Sequence, residues 1–200
     1  GNDFARALGV PRDLERAACV AVGGRERMVD VAFVGDEPYL GIASLGIDSD
    51  VQHIAGRTRL VRGGLVYLYG ALRALGGWRA ASFTVTADGQ RRAYRGYAAA
   101  VANTGVFGGG MALLPMAELD DGRLDVLLTK SHPKWRYLRG LAQVFRGTHL
   151  DPRYTEVLRA EAVEIDSSPP YDVFADGDQI GRVPARVTVR PRCLRVLVPA

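Results

Sequence analysis

Residues Asn103 to Val126 read NTGVFGGGMALLPMAELDDGRLDV, and the fold is read outward from them. Three glycines in a row, Gly108, Gly109 and Gly110, come after an apolar, strand-like run. Consecutive glycines let the backbone take positive φ and approach another group closely. An apolar segment with Pro115 leads to Asp120-Asp121-Gly122, and a strand starts at Leu124-Asp125-Val126. An Asp-Asp-Gly turn gathers carboxylate and carbonyl oxygens, a donor set that suits a hard cation such as Mg2+. On its own, the same stretch also reads as a glycine-rich connection and an ordinary tight turn.

The flanks are strand-rich. Ser82–Ala87 and Arg91–Ala102 enclose Asp88-Gly89, a hairpin signal, and the second arm runs into Asn103. Met28–Val34, Gly35-Asp36 and Tyr39–Ser44 read as strand, turn and strand. Towards the C-terminus, Glu161–Ile165, Val173–Ala175, Ala185–Val189 and Leu194–Val198 alternate or run apolar, and Asp176-Gly177-Asp178 turns between two of them. The fold class expected is mainly β (α+β): a two-sheet antiparallel β-sandwich with about three peripheral helices.

Helical signals lie between the strands. Asn2 or Asp3 caps a short helix that Gly9 stops. A second runs from Pro11 to Gly23-Gly24, with Asp13 in its first turn and Leu14, Ala17, Ala18 and Ala21 facing inward. Leu60–Leu75 has helical spacing, with Val61, Leu65, Leu68, Leu72 and Leu75 on one face and Tyr67 and Tyr69 as core or rim aromatics. Pro133–Arg146 reads as another, with Leu138, Leu141, Val144 and Phe145 inward. Its Lys134, Arg136, Arg139 and Arg146 form either a solvated face or a contact for an anionic membrane surface. Asp48 and Asp50, after Gly46, either cap a helix or aim a carboxylate into a cleft.

Composition narrows the field. At 200 residues and 48% hydrophobic the chain can bury a real core. A net charge of +4 does not argue for nucleic acid. Cys19 and Cys193 are far apart with no Cys/His cluster, which speaks against zinc and for free buried thiols in a reducing cytoplasm. The opening GNDFARALG has no secretory pattern, and the most apolar stretch, Leu65–Ala71, is too short to span a bilayer.

Taken together, these motifs resemble the diacylglycerol kinase catalytic family of bacterial lipid kinases, related to the sphingosine kinases. Gly1-Asn2-Asp3-Phe4-Ala5-Arg6 is similar to the second half of that family's G-T-x-N-D-F-A-R motif. Gly46-Ile47-Asp48 resembles G-F-D-A, Asn103–Val126 resembles N-x-x-x-x-G-G-G…P-x-A…D-G-x-L-D-V, and Asp176-Gly177-Asp178 stands where the family has D-G-E. Departures are Gly41 where Asn is common, Ser49 for Ala, and Asp178 for Glu. The G-G-D-G-T loop of the nucleotide-binding domain has no counterpart in these residues.

The resemblance implies an ATP- and Mg2+-dependent kinase acting in phospholipid biosynthesis on a lipid hydroxyl, most often that of diacylglycerol. Residues 1–8 would be a hinge stub of the missing N-terminal nucleotide-binding domain, and residues 9–200 the β-rich lipid-side domain. Asp178 would be the catalytic base, Asp3 would lie at the inter-domain active site, and Asn2 would lie with it beside the nucleotide. A structural Mg2+ would sit on the Asp121 carboxylate and the backbone carbonyls of Glu118 and Arg123. The parent enzyme would work peripherally at the membrane from the cytoplasm, and the chain alone would be inactive. A homodimer stays open. The runners-up are a non-catalytic lipid- or metabolite-binding sandwich and a fragment of an NAD-kinase-like enzyme.

Overall fold

A computed structural model describes residues 2–57 and 65–200. Its strands are β1 (Arg25–Val34), β2 (Glu37–Tyr39), β3 (Ile42–Gly46), β4 (Ala81–Ala87), β5 (Gln90–Ala102), β6 (Val106–Phe107), β7 (Met111–Ala112), β8 (Leu124–Lys130), β9 (Thr155–Ala160), β10 (Ala162–Ser168), β11 (Asp172–Ala175), β12 (Asp178–Arg182) and β13 (Ala185–Val198). The helices are α1 (Asp3–Ala7), α2 (Leu14–Gly23), α3 (Ile47–Arg57), α4 (Leu65–Gly77) and α5 (Lys134–Gln143), with a 3-10 turn at Val144–Arg146.

The chain is mainly β, as expected, and both layers of the sandwich belong to one antiparallel sheet of 11 strands. The link is β5. Its first half, Gln90–Gly96, pairs with β4, which leads on through β10 and β13 to β1 and β2. Its second half, Ala98–Ala102, lies between β3 and β8, the first leading to β11 and β12 and the second to β9. Val85, Val101, Val126, Val163, Val173 and Val187 come from both halves and share one buried core. Alternation puts them there, because every second side chain of a strand faces the same layer. A separate two-stranded hairpin, β6–β7, carries the three glycines at its tip.

Several local expectations are revised. The described residues hold five α-helices rather than three. Asp13 is the N-cap of α2, accepting the Arg16 N–H at 3.0 Å, so Pro11 lies outside the helix. That helix buries no residue: Leu14 is 83% exposed, so the expected inner face does not exist. Tyr39–Ser44 is not one strand: β2 pairs with β1, β3 pairs with β5 and β11, and the chain changes partners at Leu40-Gly41.

Helix α4 buries Ala71, Ala74 and Leu75, while Leu72 and Tyr69 are exposed; Leu60, Val61, Gly63 and Gly64 lie outside the described residues. Strand β9 is an addition to the expected set, and β13 is one 14-residue strand rather than two. Along α5 and the 3-10 turn after it, Tyr137 and Val144 pack inward, but Leu138 and Phe145 point to solvent. Cys19 and Cys193 are free but exposed, because neither α2 nor the middle of β13 is covered there.

Candidate functional site

Three segments far apart in sequence meet where β2 gives way to β3. The Asp176 carboxylate accepts the Leu40 N–H at 2.8 Å and the Gly41 N–H at 3.0 Å. A Cβ on residue 41 would collide with Asp176 Oδ1. Gly41 is therefore the residue that lets the carboxylate reach the backbone, a physical reason for a glycine where Asn is common. The Gly41 carbonyl accepts the N–H groups of Asn103 (2.9 Å) and Thr104 (3.2 Å). The buried Asn103 side chain donates from Nδ2 to the carbonyls of Leu40 (3.0 Å) and Asp30 (3.1 Å). Its Oδ1 has no partner among the described residues.

From Thr104 the chain enters the β6–β7 hairpin. Gly108, Gly109 and Gly110 have φ of 61, 88 and 115°. Side chains are strained there, and the run of glycines makes the tip possible. Gly109 donates its N–H to Asp3 Oδ2 at 2.8 Å, and the Arg6 guanidinium covers Gly110. Asp3 Oδ1 lies 3.7 Å from Arg6 Nε, is shielded from solvent and accepts no hydrogen bond among the described residues. Asp3 thus has one oxygen committed to the hairpin and the other turned to the Arg6 guanidinium. Asn2 is exposed with φ 59° and caps α1 with its backbone, not its side chain.

Asp178 opens β12 opposite Ala175. Its side chain is exposed, and no hydrogen bond or ion pair to the carboxylate occurs among the described residues. The two aspartates of this turn have separate tasks: Asp176 grips Leu40 and Gly41, and Asp178 is left available. No direct bond joins Asp178 to Asp3. They are connected through Asp176, Gly41, Asn103-Thr104 and the glycine hairpin, on the end of the sandwich from which that hairpin projects.

The Asp120-Asp121-Gly122 turn is fastened by a residue that the sequence reading missed. Asp30, fully buried in β1, accepts the Gly122 N–H through Oδ2 and the Arg192 N–H through Oδ1, both at 2.7 Å. Asp120 pairs with Arg27 at 3.0 Å. Asp121 accepts the Arg123 N–H at 2.8 Å and is also in contact with the Arg159 guanidinium. Arg159 Nε lies 3.5 Å from the buried Asp125. Burial raises the pKa of Asp125, Arg159 opposes that, and Asp121 and Glu118 add to it.

Among the described residues no group of three or more His, Cys, Asp or Glu side chains is arranged to hold a metal. The expected Mg2+ set uses one carboxylate and two carbonyls, and it fits a hard cation in chemistry. Asp125 Oδ1, buried beside it and without a hydrogen bond, has the Arg159 guanidinium as its counter-charge. A cation on Asp121 would take over the contact that Arg159 now makes.

Asp48 and Asp50 do not cap a helix from outside; both lie in the first turn of α3. Burial pushes the Asp48 carboxyl up to about 6. Burial also raises Asp50, against the pull of His53. Of the groups that hold the site together, Asn103 opens the glycine-rich stretch itself. Asp30 carried no local signal, because its partners lie 92 and 162 residues further along the chain.

Residues 41–198 match the family described as YegS C-terminal NAD kinase beta sandwich-like domain. The chain is 32% identical over 206 residues to a diacylglycerol kinase of Mycobacterium tuberculosis (strain ATCC 25618 / H37Rv), covering 100% of this chain and 66% of that protein. It is 26% identical over 200 residues to a diacylglycerol kinase of Bacillus subtilis (strain 168), covering 99% of this chain and 66% of that protein. A solved protein from Bacillus anthracis str. Sterne superposes with a TM-score of 0.79 at 22% identity, over 98% of this chain and 65% of that one, which shows the shared fold. The chain therefore spans just under two thirds of these curated relatives. It belongs to the YegS C-terminal domain family.

Proposed function

We propose that this chain is the lipid-side domain of an ATP-dependent lipid kinase, with the hydroxyl of diacylglycerol as the phosphate acceptor. The observation that carries the reading is the division of labour in the 176–178 turn. A fixed Asp176 presents a free, exposed Asp178 on the same sandwich end as Asp3. The names of the relatives support the reaction class.

Phosphoryl transfer is catalysed mainly by positioning and charge stabilisation. When bound, Mg-ATP supplies the γ-phosphoryl group and part of the charge neutralisation. Asp178 takes the proton of the lipid hydroxyl as its oxygen forms the new bond to phosphorus, and ADP leaves. Asp178 is one methylene shorter than glutamate, and the Asp176 grip fixes the backbone from which it reaches. Asp3 and Asn2 sit at the hinge to an N-terminal nucleotide-binding domain, where the Asp3 carboxylate, held by Gly109 and Arg6, orients groups on the nucleotide side. Asp121, with the carbonyls of Glu118 and Arg123, would hold a structural Mg2+ that supplies positive charge to the turn. No helix among the described residues is long and apolar enough to cross a membrane. In this reading the domain meets its lipid from the membrane surface.

The NAD-kinase-like reading is kept as a second one, because the matched family is described by its NAD kinase-like sandwich. One experiment separates them. The full-length protein is given labelled ATP with diacylglycerol vesicles and, in parallel, with NAD. Labelled phosphatidic acid and no labelled NADP is the expected result; the reverse overturns the lipid reading. The 200-residue chain alone should transfer nothing in either assay.

A further inference from the structure

The outer face of α5 and the 3-10 turn after it is apolar where it should be solvated. Trp135, Leu138 and Phe145 are 57, 39 and 60% exposed. With Ala142 they recur at spacings of three, four and three residues, which places them on one stripe of the helix. The opposite stripe, Tyr137, Leu141 and Val144, faces the protein, with Tyr137 packed on the main core and Val144 buried. The exposed stripe is therefore a second apolar face, met at its start by the Arg136 guanidinium 4.9 Å from the Trp135 ring centroid and otherwise open to solvent among the described residues.

The segment that carries it has one sign of charge. From Lys130 to Leu150 there are five Lys or Arg residues and no Asp or Glu. Arg139 and Arg146 border the stripe and have no acidic partner among the described residues. The next acids along the chain are already engaged, Asp151 with Arg153 and Glu156 with Arg92 and Lys130, and Asp48 acts on Tyr137 at the inner face of the helix. Lys134 donates to the Gly76 carbonyl at 2.9 Å, which ties the start of α5 to the end of α4.

Charge decides which partner fits. A second copy of the chain would bring one unpaired basic rim against another, and like charges across an interface are unfavourable. A soluble polyanion would answer the arginines and leave three large apolar side chains in water. An anionic bilayer satisfies both, since headgroups pair with the rim and the acyl boundary accepts the stripe. We propose that α5 and its 3-10 turn form an interfacial anchor that inserts Trp135, Leu138 and Phe145 into an anionic lipid surface, with Arg139 and Arg146 on the headgroups. The proposal deepens the lipid-kinase reading and rests on it only for why a bilayer is visited.

The two tryptophans make the test direct, because Trp78 is buried and Trp135 is exposed. The 200-residue chain is mixed with phosphatidylcholine vesicles with and without phosphatidylglycerol, and tryptophan emission and iodide quenching are recorded. Only the phosphatidylglycerol vesicles should shift emission to the blue and protect it from iodide. Trp135→Phe should abolish the shift while binding persists. Arg139→Gln and Arg146→Gln should each weaken binding about fivefold. Leu138→Ser with Phe145→Ser should weaken it further without altering the emission of Trp78.

Vesicle binding with no shift, equal protection by heparin, or self-association lost in Leu138→Ser would each overturn the anchor. Insertion without lipid phosphorylation by the full-length protein would keep the anchor and reject the kinase reading. Phosphorylation without insertion would do the opposite.

Discussion

Two hairpins of this protein turn on the same three residues. Ala87-Asp88-Gly89 joins β4 to β5, and Ala175-Asp176-Gly177 joins β11 to β12. Both are two-residue loops, closed by Ala87 opposite Gln90 and Ala175 opposite Asp178. The aspartates have φ of 44 and 53° and the glycines 82 and 104°, the positive values that such tight loops require. Each aspartate also grips a neighbouring backbone: Asp88 accepts the N–H groups of Glu161 and Ala162, Asp176 those of Leu40 and Gly41. The turn is thus the same device twice. The difference lies in the backbone it grips and in the residue just past the glycine. Asp88 fastens the start of a regular strand and leads to Gln90. Asp176 fastens the break between β2 and β3, beside the buried Asn103, and leads to a free carboxylate.

The largest effect should fall on that last residue. In the full-length enzyme, Asp178→Asn should keep the fold and lower turnover about 10²–10⁴-fold, the usual cost of losing a general base. Asp178→Glu should keep turnover, and Gln90→Asp, the matching change in the other hairpin, should do nothing. Steady-state rates on diacylglycerol vesicles read all three. Near-normal turnover in Asp178→Asn would end the comparison and leave Asp3 as the candidate.

A smaller effect separates the two grips. Asp176→Ala should cost about 2–4 kcal/mol of stability and Asp88→Ala about 1–2, by denaturant unfolding. Asp176 caps the N–H of buried Gly41, whereas Asp88 caps the exposed Glu161 and half-buried Ala162. Gly41→Ala should mimic Asp176→Ala, since its methyl group needs the space of the carboxylate. Equal losses at both hairpins would show that the break at Leu40-Gly41 is not a special load on Asp176.

The smallest effect concerns a third aspartate–glycine turn, Asp120-Asp121-Gly122, whose Gly N–H is capped from outside by Asp30. Asp121→Ala should lower the melting temperature in Mg2+ by the equivalent of about 1 kcal/mol and matter less in chelator. Equal shifts in both would remove the cation and leave Arg159 as the counter-charge in contact with Asp121.

Legibility tracks range. The β4–β5 hairpin is readable because its signal lies in adjacent residues, Asp88-Gly89 between two β-rich arms. The mainly β class is readable from alternation. The inner stripe of α2 is not, since periodicity reports an apolar face and says nothing of whether anything covers it. For the same reason the spacing of Leu138 and Phe145 points to a core that neither residue reaches. Strand β9 escapes the pattern because an edge strand pairs with one neighbour only, and Thr155–Leu158 are all half-buried, without a clear alternation. At the site, Asp178 and Asp3 stand out through motif resemblance, which no bond in the structure tests. Asp30 and the Asp176 grip are invisible because their meaning is set by partners more than ninety residues away.

The way the sheet closes has a consequence for how the protein is made. Strand β13 pairs along its length with β1, from Arg25 opposite Val198 to Val34 opposite Val187, and its first residues also hold β10. The first long strand of these 200 residues to leave the ribosome therefore waits for the last. Until then β1 offers an unpaired edge and the half-sheet around β4 and β10 lacks its neighbour. Pairings this distant form slowly, and open edges invite wrong partners. During synthesis, a chaperone that shields β1 would have its longest task here.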